Sequence, residues 1–209
     1  MKMTHILAYI SGAILICSTS ANAQSVSIRG VRMVGTGCQT TAADAATTPD
    51  GKTLSILFDN YKVEIGQGSE NPQLTSLKKN CRILIDLDVP AGYQFGLSQT
   101  DYRGFAALPA SAYGMHRFTH IAPNQPIVSM REAQLVGPVA DDYSVSVKQK
   151  PGRFVYSPCN TRFQTLELLS ELSVAYLPNK SDRSIAQINL DSADTGVDSS
   201  FTLTWRKCQ

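Results

Sequence analysis

The sequence predicts an all-β fold: an antiparallel β-sandwich of two sheets with roughly 8–10 strands, at most one short helix and two disulfides. Three observations predict it. Short runs alternate apolar and polar residues, and this period of two buries one face of a strand and exposes the other. Turn residues separate these runs roughly every 8–12 positions. An even number of cysteines follows an apparent export signal, which is typical of disulfide-bonded secreted domains.

The N-terminus has the three parts of a signal peptide. Lys2 supplies a positive charge, residues 6–17 form an apolar run, and residues 21–23 have the small-x-small pattern that a signal peptidase cuts. We therefore predict that residues 1–23 are a signal peptide, cleaved before Gln24.

The remaining chain, residues 24–209, is predicted to form a single β-sandwich domain in the periplasm or outside the cell. A lipid anchor at Cys17 is the alternative fate of the leader, and the large Ile16 before that cysteine disfavours it. No segment of the mature chain approaches the ~20 apolar residues that a membrane span needs.

The charge balance excludes two classes of partner. The chain has 19 Lys and Arg against 17 Asp and Glu, a formal net charge of +2. Such a balance provides no basic field for nucleic acid or for an anionic membrane. Only 17% of the residues are charged, against about 25% in an average protein, so neutral polar side chains must supply much of the surface.

Four cysteines lie outside the leader: Cys38, Cys81, Cys159 and Cys208. Four cysteines allow three pairings. We favour Cys38–Cys81 and Cys159–Cys208, because these bridges tie the early strands together and the late strands together. Zinc ligation is the alternative, but the chain has no Cys-x-x-Cys pair and its compartment is oxidising.

The clearest strand is the run over residues 81–89. Its apolar residues share one face, and Asp86 and Asp88 share the other. A turn follows at 90–92, and residues 93–97 alternate again. The two runs together predict an antiparallel hairpin.

The same alternation predicts further strands over residues 26–34, 54–58, 61–65, 127–136, 143–147 and 201–205. The first of them changes phase near Gly30, which indicates a β-bulge. Residues 165–177 fit either a strand or a short amphipathic helix, and the even spacing of most of their apolar residues favours the strand.

Seven fragments in order, spread over nearly all of the mature chain, resemble a known family. They are Gly35–Cys38, Lys78–Cys81, Asp101–Phe105, Gly137–Pro138, Tyr156–Cys159, Asp191–Asp194 and Trp205–Cys208. Together they resemble the secreted family named domain of unknown function 4360, over residues 26–208. The resemblance implies an exported β-rich protein with disulfides, and it implies no activity. The apolar segment Phe163–Leu169 departs from the more polar strand expected there.

No catalytic motif is present. His116 and His120 lie four apart, which places them ~13 Å apart along a strand, too far to bind one metal ion together. We expect them at the surface or on an edge strand. No serine occupies a Gly-x-Ser-x-Gly elbow, and the four mature cysteines are needed for bridges.

Two groups of acidic residues suggest alternatives. Asp86 and Asp88 on one strand face are ~7 Å apart, which is compatible with the acid/base pair of a polysaccharide hydrolase. Asp191, Asp194 and Asp198 surround a glycine in a loop and are a speculative calcium site, although their spacing is not that of an EF-hand loop.

The aromatic residues between positions 93 and 118 suggest a binding face. Tyr102 lies on the opposite phase from the buried residues of its run, so we expect it to be exposed beside Arg103. With Phe105 these residues are the predicted ligand-binding patch, because an exposed ring and a guanidinium can stack on a sugar or on a peptide aromatic.

The sequence as a whole therefore predicts a secreted, non-catalytic β-sandwich that binds a glycan, a cell-envelope component or a protein surface, with no cofactor. A secreted polysaccharide hydrolase that uses the carboxylate pair is one alternative. A structural or envelope-assembly protein that offers its strand edges to partners is another.

Overall fold

The computed structural model describes residues 27–38, 43–58, 60–121, 127–150, 154–190 and 199–209. Within these residues the chain forms twelve β-strands and no helix. The strands are β1 (Ser27–Val34), β2 (Ala43–Thr47), β3 (Thr53–Phe58), β4 (Lys62–Ile65), β5 (Ser76–Asp88), β6 (Tyr93–Leu108), β7 (Ala112–Ile121), β8 (Ile127–Val136), β9 (Val139–Lys148), β10 (Phe163–Tyr176), β11 (Ala186–Asn189) and β12 (Ser199–Lys207). The predicted signal peptide and its cleavage site lie outside the described residues.

The strands form two antiparallel sheets, as predicted. The five-stranded sheet has the order β1-β5-β10-β7-β8. The seven-stranded sheet has the order β2-β3-β12-β6-β11-β4, with β9 also paired to β6. The described strands outnumber the expected 8–10 because the sheets include three very short strands, β2, β4 and β11.

The core fills the space between the sheets. Over residues 81–87 of β5 and 166–174 of β10 every second residue is at most 1% exposed, including Ile83, Ile85, Leu166 and Leu168. The facing sheet contributes residues such as Phe201. This alternation is the period-two pattern of the sequence, and burying it is the main source of stability.

Both favoured disulfides are confirmed. Cys38 bonds to Cys81, with their Cα atoms 5.4 Å apart, and Cys159 bonds to Cys208 at 5.7 Å. The first closes a separation of 43 residues and the second one of 49 residues. By the loop-closure model each contributes about 4 kcal/mol.

The segment with two interpretations is a strand. Residues 163–176 form β10, which pairs with β5 along one edge and with β7 along the other. Its buried residues alternate throughout, so the strand was the correct choice over the helix.

The predicted hairpin between residues 81–89 and 93–97 is wrong. β5 belongs to the five-stranded sheet and β6 to the seven-stranded sheet, so residues 90–92 carry the chain from one sheet to the other. A turn sequence reports that the chain reverses, but it does not report whether the next strand pairs with the last one or packs across the core from it.

No helix within the described part of the chain has the length and apolar character to cross a membrane.

Candidate functional site

The outer face of the β5–β10 pair presents charged side chains across from one another. Arg82 on β5 donates to Glu167 on β10 through two hydrogen bonds of 2.6 and 3.0 Å. Further along, Arg32 on β1 contacts both carboxylate oxygens of Asp86 at 3.3 Å. This is the expected solvated face of a half-buried strand pair.

One aromatic residue interrupts this charged face where β10 begins. Phe163 lies opposite Asp88 in the strand register, and 52% of it is exposed. Two guanidinium groups approach its ring: that of Arg29 lies 4.1 Å from the ring centre, and that of Arg162 lies 5.2 Å from it. Cations at such distances are attracted to the ring electrons.

A groove of about 300 Å³ runs beside this ring. We call it the Phe163 groove, and its lining residues are Arg29, Asp86, Leu87, Phe163, Gln164 and Thr165. Thr165 donates a 2.7 Å hydrogen bond to Asp86, which fixes that carboxylate at the wall of the groove. The groove therefore combines an apolar ring, a carboxylate acceptor and a guanidinium donor.

A second cavity, of about 270 Å³, lies further along the same two strands. Its lining runs over Val89–Tyr93 and Asn160–Arg162. Between the two cavities Arg162 donates two 2.8 Å hydrogen bonds to Asp88. The disulfide through Cys159 anchors the chain just before this wall.

The predicted carboxylate pair is on the outer face, as its phase indicated, but each acid has a basic partner. The two hydrogen bonds from Arg162 hold the pKa of Asp88 below its ordinary value, and the nearby charge of Arg29 acts in the same direction. A general acid of a glycosidase needs a raised pKa. The pKa of Asp88 is therefore shifted in the opposite direction from that of a general acid.

The expected exposure of Tyr102 is wrong. Tyr102 is 1% exposed and its ring packs against Phe118 with the ring centres 4.3 Å apart. Arg103 is exposed and Phe105 is half-buried, both on the other face of β6. The three residues therefore do not form one patch, and a role for Arg103 and Phe105 in binding stays a prediction.

The reason is a register shift in β6. Leu203 on β12 faces Leu97, and its neighbour Thr202 faces Gln99, so Ser98 is an extra residue on β6. After one extra residue, every following side chain of the strand lies on the opposite face of the sheet. Tyr102 therefore points inward. If the alternation over residues 93–97 continued without a break, Tyr102 would point outward.

The two histidines are also buried, contrary to expectation. His116 and His120 are 2% and 3% exposed on β7, which lies inside the five-stranded sheet. His116 Nε2 is 3.1 Å from the hydroxyl of Ser170 on the adjacent strand, and Tyr61 donates to the Ser170 carbonyl. A serine beside a histidine can be a nucleophile and its base, but this pair is sealed in the core and no substrate can reach it.

The histidines are held neutral by their surroundings. Burial lowers the pKa of His116 and that of His120 to about 4 each. Burial likewise raises the pKa of the phenols of Tyr61 and Tyr143 well above their ordinary value, so the interior contains aromatic and polar groups without charge.

The speculative calcium ligands Asp191, Asp194 and Asp198 lie outside the described residues. Within the described part of the chain, no group of three or more His, Cys, Asp or Glu side chains is placed to hold a metal ion.

The sequence analysis missed the central residues of the groove. Phe163 lies two residues before the segment with two interpretations, and Arg29 lies in the strand that changes phase. The available signal was that Phe163 shares the outward phase of β10 with Thr165 and Glu167, which makes it an aromatic residue on a polar face.

Comparison with known proteins decides the family. The sequence model of "Domain of unknown function (DUF4360)" matches residues 24–208. The chain belongs to this family. A relative in Arthroderma benhamiae, described as "Uncharacterized secreted protein", is 27% identical over 183 residues, which cover 88% of this chain and 72% of the relative. Export is consistent with this secreted relative of the DUF4360 protein and with its two disulfides.

Solved structures give only distant likenesses to the DUF4360 protein. TmCBM61 in complex with beta-1,4-galactotriose is 8% identical at a TM-score of 0.28, with 86% of this chain and 90% of that chain covered. The enzymatically active domain of bacteriophage CBA120 tailspike protein 4 is 11% identical at a TM-score of 0.27, with 86% and 20% covered. These scores are too low to establish a common fold.

Proposed function

We propose that this DUF4360 protein is an exported, non-catalytic binding protein and that the Phe163 groove binds a glycan. The observation that supports this most is the half-exposed ring of Phe163 at the wall of a groove that also offers Asp86 and Arg29. A sugar ring has an apolar C–H surface and a rim of hydroxyl groups. It needs an aromatic surface together with hydrogen-bonding groups at the edge.

The fixed geometry of the groove supports binding. Asp86 receives hydrogen bonds from Thr165 and Arg32, so its position is set before a ligand arrives. Phe163 begins a fourteen-residue strand and is itself paired with Asp88 of β5. A site held in advance loses less conformational entropy when it binds.

Two candidate catalytic groups, Asp88 and the Ser170–His116 pair, lie in surroundings that do not suit catalysis, which supports a non-catalytic role. Asp88 is ion-paired with a lowered pKa, and the only serine–histidine contact described, that of Ser170 and His116, is in the core. What remains at the groove is a set of recognition groups.

A glycan array followed by calorimetry on the retained sugars tests the proposal. Phe163→Ala should weaken binding by at least about tenfold, because an aromatic contact at a binding site is worth more than ~1.4 kcal/mol. Met130→Ala is the matched control, since Met130 is 50% exposed on the same sheet and distant in sequence from the groove. It should bind like the natural protein.

A second variant separates this site from the patch predicted from the sequence. If Arg103→Ala abolishes binding and Phe163→Ala does not, the site is on the seven-stranded sheet and the Phe163 groove is not the binding site. Failure of the natural protein to retain any sugar from neutral, amino and acidic sets would contradict glycan binding itself.

Export by cleavage of residues 1–23 belongs to the same proposal. N-terminal sequencing of the protein recovered from the periplasm or the medium should begin at Gln24. A mature chain that begins at Cys17 would instead indicate a lipid anchor.

A further inference from the structure

We infer that the ligand of the Phe163 groove is an acidic glycan, and that Arg29 binds its carboxylate. This inference rests on the proposed function, because it names the class of glycan that the same groove takes. Arg29 supports it through its position, its unused hydrogen-bond donors and the local balance of charge.

A β-bulge places Arg29 at the groove. In the pairing of β1 with β5, Ile28 faces Leu87 and Gly30 faces Asp86, so Arg29 is the extra residue between them. Arg29 and Arg32 are three residues apart and would lie on opposite faces of a regular strand. Because of the bulge, both are exposed on the outer face, and Arg29 lies over the ring of Phe163. Bulges often redirect a side chain in this way beside a functional site.

The guanidinium of Arg29 has unused hydrogen-bond donors. Arg32 is paired with Asp86, and Arg162 is paired with Asp88. Among the residues that the structure describes, Arg29 makes no hydrogen bond and no ion pair; its guanidinium lies over the Phe163 ring, and its charge also acts on Asp88. A guanidinium carries five N–H donors, so this group is available to a ligand.

The local charge favours an anion. Three arginines and two aspartates surround the groove, so the net charge there is one positive charge. They are Arg29, Arg32, Arg162, Asp86 and Asp88. Both aspartates are neutralised by partners, so the unbalanced cation is that of Arg29. A neutral sugar would leave this cation without a counter-charge.

The geometry of the cation favours a carboxylate. A guanidinium is a planar fork that matches the two oxygens of a carboxylate with two parallel hydrogen bonds. The ring of Phe163 lies against this plane and limits its rotation, which reduces the entropy lost when the fork engages a ligand. A uronic acid offers such a carboxylate on the same ring whose C–H surface can contact an aromatic side chain.

The test compares an oligogalacturonate with its fully methyl-esterified form, which has the same chain and no charge. By calorimetry the natural protein should bind the acid at least about tenfold more tightly than the ester, because a hydrogen bond between two charged groups is stronger than one to a neutral ester. Added salt should reduce this preference, since the contact lies at the surface.

Two variants assign the effect. Arg29→Gln should bind the acid and the ester with equal affinity, so the preference for the acid should be lost. Arg103→Gln, at an exposed arginine of the other sheet, should keep the full preference. Phe163→Ala should weaken the binding of both forms.

The outcomes separate the two proposals. Equal binding of acid and ester by the natural protein, with both dependent on Phe163, overturns the acidic ligand and leaves glycan binding intact. A preference that survives Arg29→Gln overturns the assignment to Arg29. Tighter binding of a sulfated sugar than of the uronate overturns the carboxylate and indicates a sulfate ester. Failure to bind any probe or array sugar overturns glycan binding and the inference with it.

Discussion

On the inner face of the β5–β10 pair, consecutive inward residues are aliphatic and fully buried, with Ile83, Ile85 and Leu168 among them. On the outer face, the same two strands pair Arg82 with Glu167 and present Phe163 to solvent. The two faces share one backbone and one set of hydrogen bonds. The contrast indicates that the inner side chains hold the sandwich together, while the outer side chains are in contact with solvent.

The largest effect should come from comparing two neighbouring leucines of β10. Leu168 is fully buried and Leu169 lies on the outer face opposite Arg82. Leu168→Ala should lower the free energy of unfolding by about 3 kcal/mol, through lost burial and the cavity left behind. Leu169→Ala should cost less than about 1 kcal/mol.

Urea unfolding of the two variants and the natural protein measures this difference. Equal losses for the two leucines would mean that the outer face contributes to stability as much as the inner face, and the contrast would not hold.

The next effect is a loss of stability at acidic pH, caused by the two buried histidines. The pKa of each is about 4 in the folded protein and 6.5 as the ordinary value, so the unfolded chain binds more protons between these limits. The free energy of unfolding should therefore fall as the pH drops below about 6.5, and it should level off near pH 4. At about pH 5 the loss relative to neutral pH should be about 2 kcal/mol per histidine.

The pH dependence of unfolding separates these groups from the surface carboxylates. The pKa of Asp88 is lowered from its ordinary value of 3.8, so its carboxylate stabilises the fold at pH values above 3.8. That contribution is lost only at lower pH. His116→Gln should remove about half of the slope between pH 5 and 7, whatever it does to stability at neutral pH. An unchanged slope would mean that His116 does not titrate on unfolding as proposed.

The smallest effect should come from the ion pair of Arg82 and Glu167. Exposed pairs gain little in water and are screened by salt. A double-mutant cycle with alanine at both positions should show a coupling well below the loss from Leu168→Ala. A coupling of comparable size that persists in high salt would show that the outer face is structural.

The sequence predicted much of the fold because the alternation is local. It identified the strand over 81–89, the bulge near Gly30 and the strand nature of residues 165–177. The disulfides Cys38–Cys81 and Cys159–Cys208 were also chosen correctly, since each joins two of the four cysteines that follow one another in the sequence. The hairpin through residues 90–92 was wrong, because a turn does not specify the sheet that receives the next strand.

The candidate site was less accessible to sequence reasoning. Tyr102 was assigned to the wrong face because the extra residue at Ser98 changes the phase of β6, and such an insertion is visible only against the paired strand. The histidines were expected at the surface because the sequence does not show which side chains from other strands pack around a histidine. Arg29 and Phe163 are far apart in the chain, and the pairing of β1 and β10 on either side of β5 brings them together.

By itself, the sequence determined that this is a disulfide-bonded β-sandwich, because side-chain alternation and cysteine number are properties of the chain alone. The tertiary structure decided which face each residue beyond a bulge occupies and which distant side chains share a groove. The physical reason is that a single unpaired residue inverts every side chain after it, and its position is set by hydrogen bonds to another strand rather than by its neighbours in sequence.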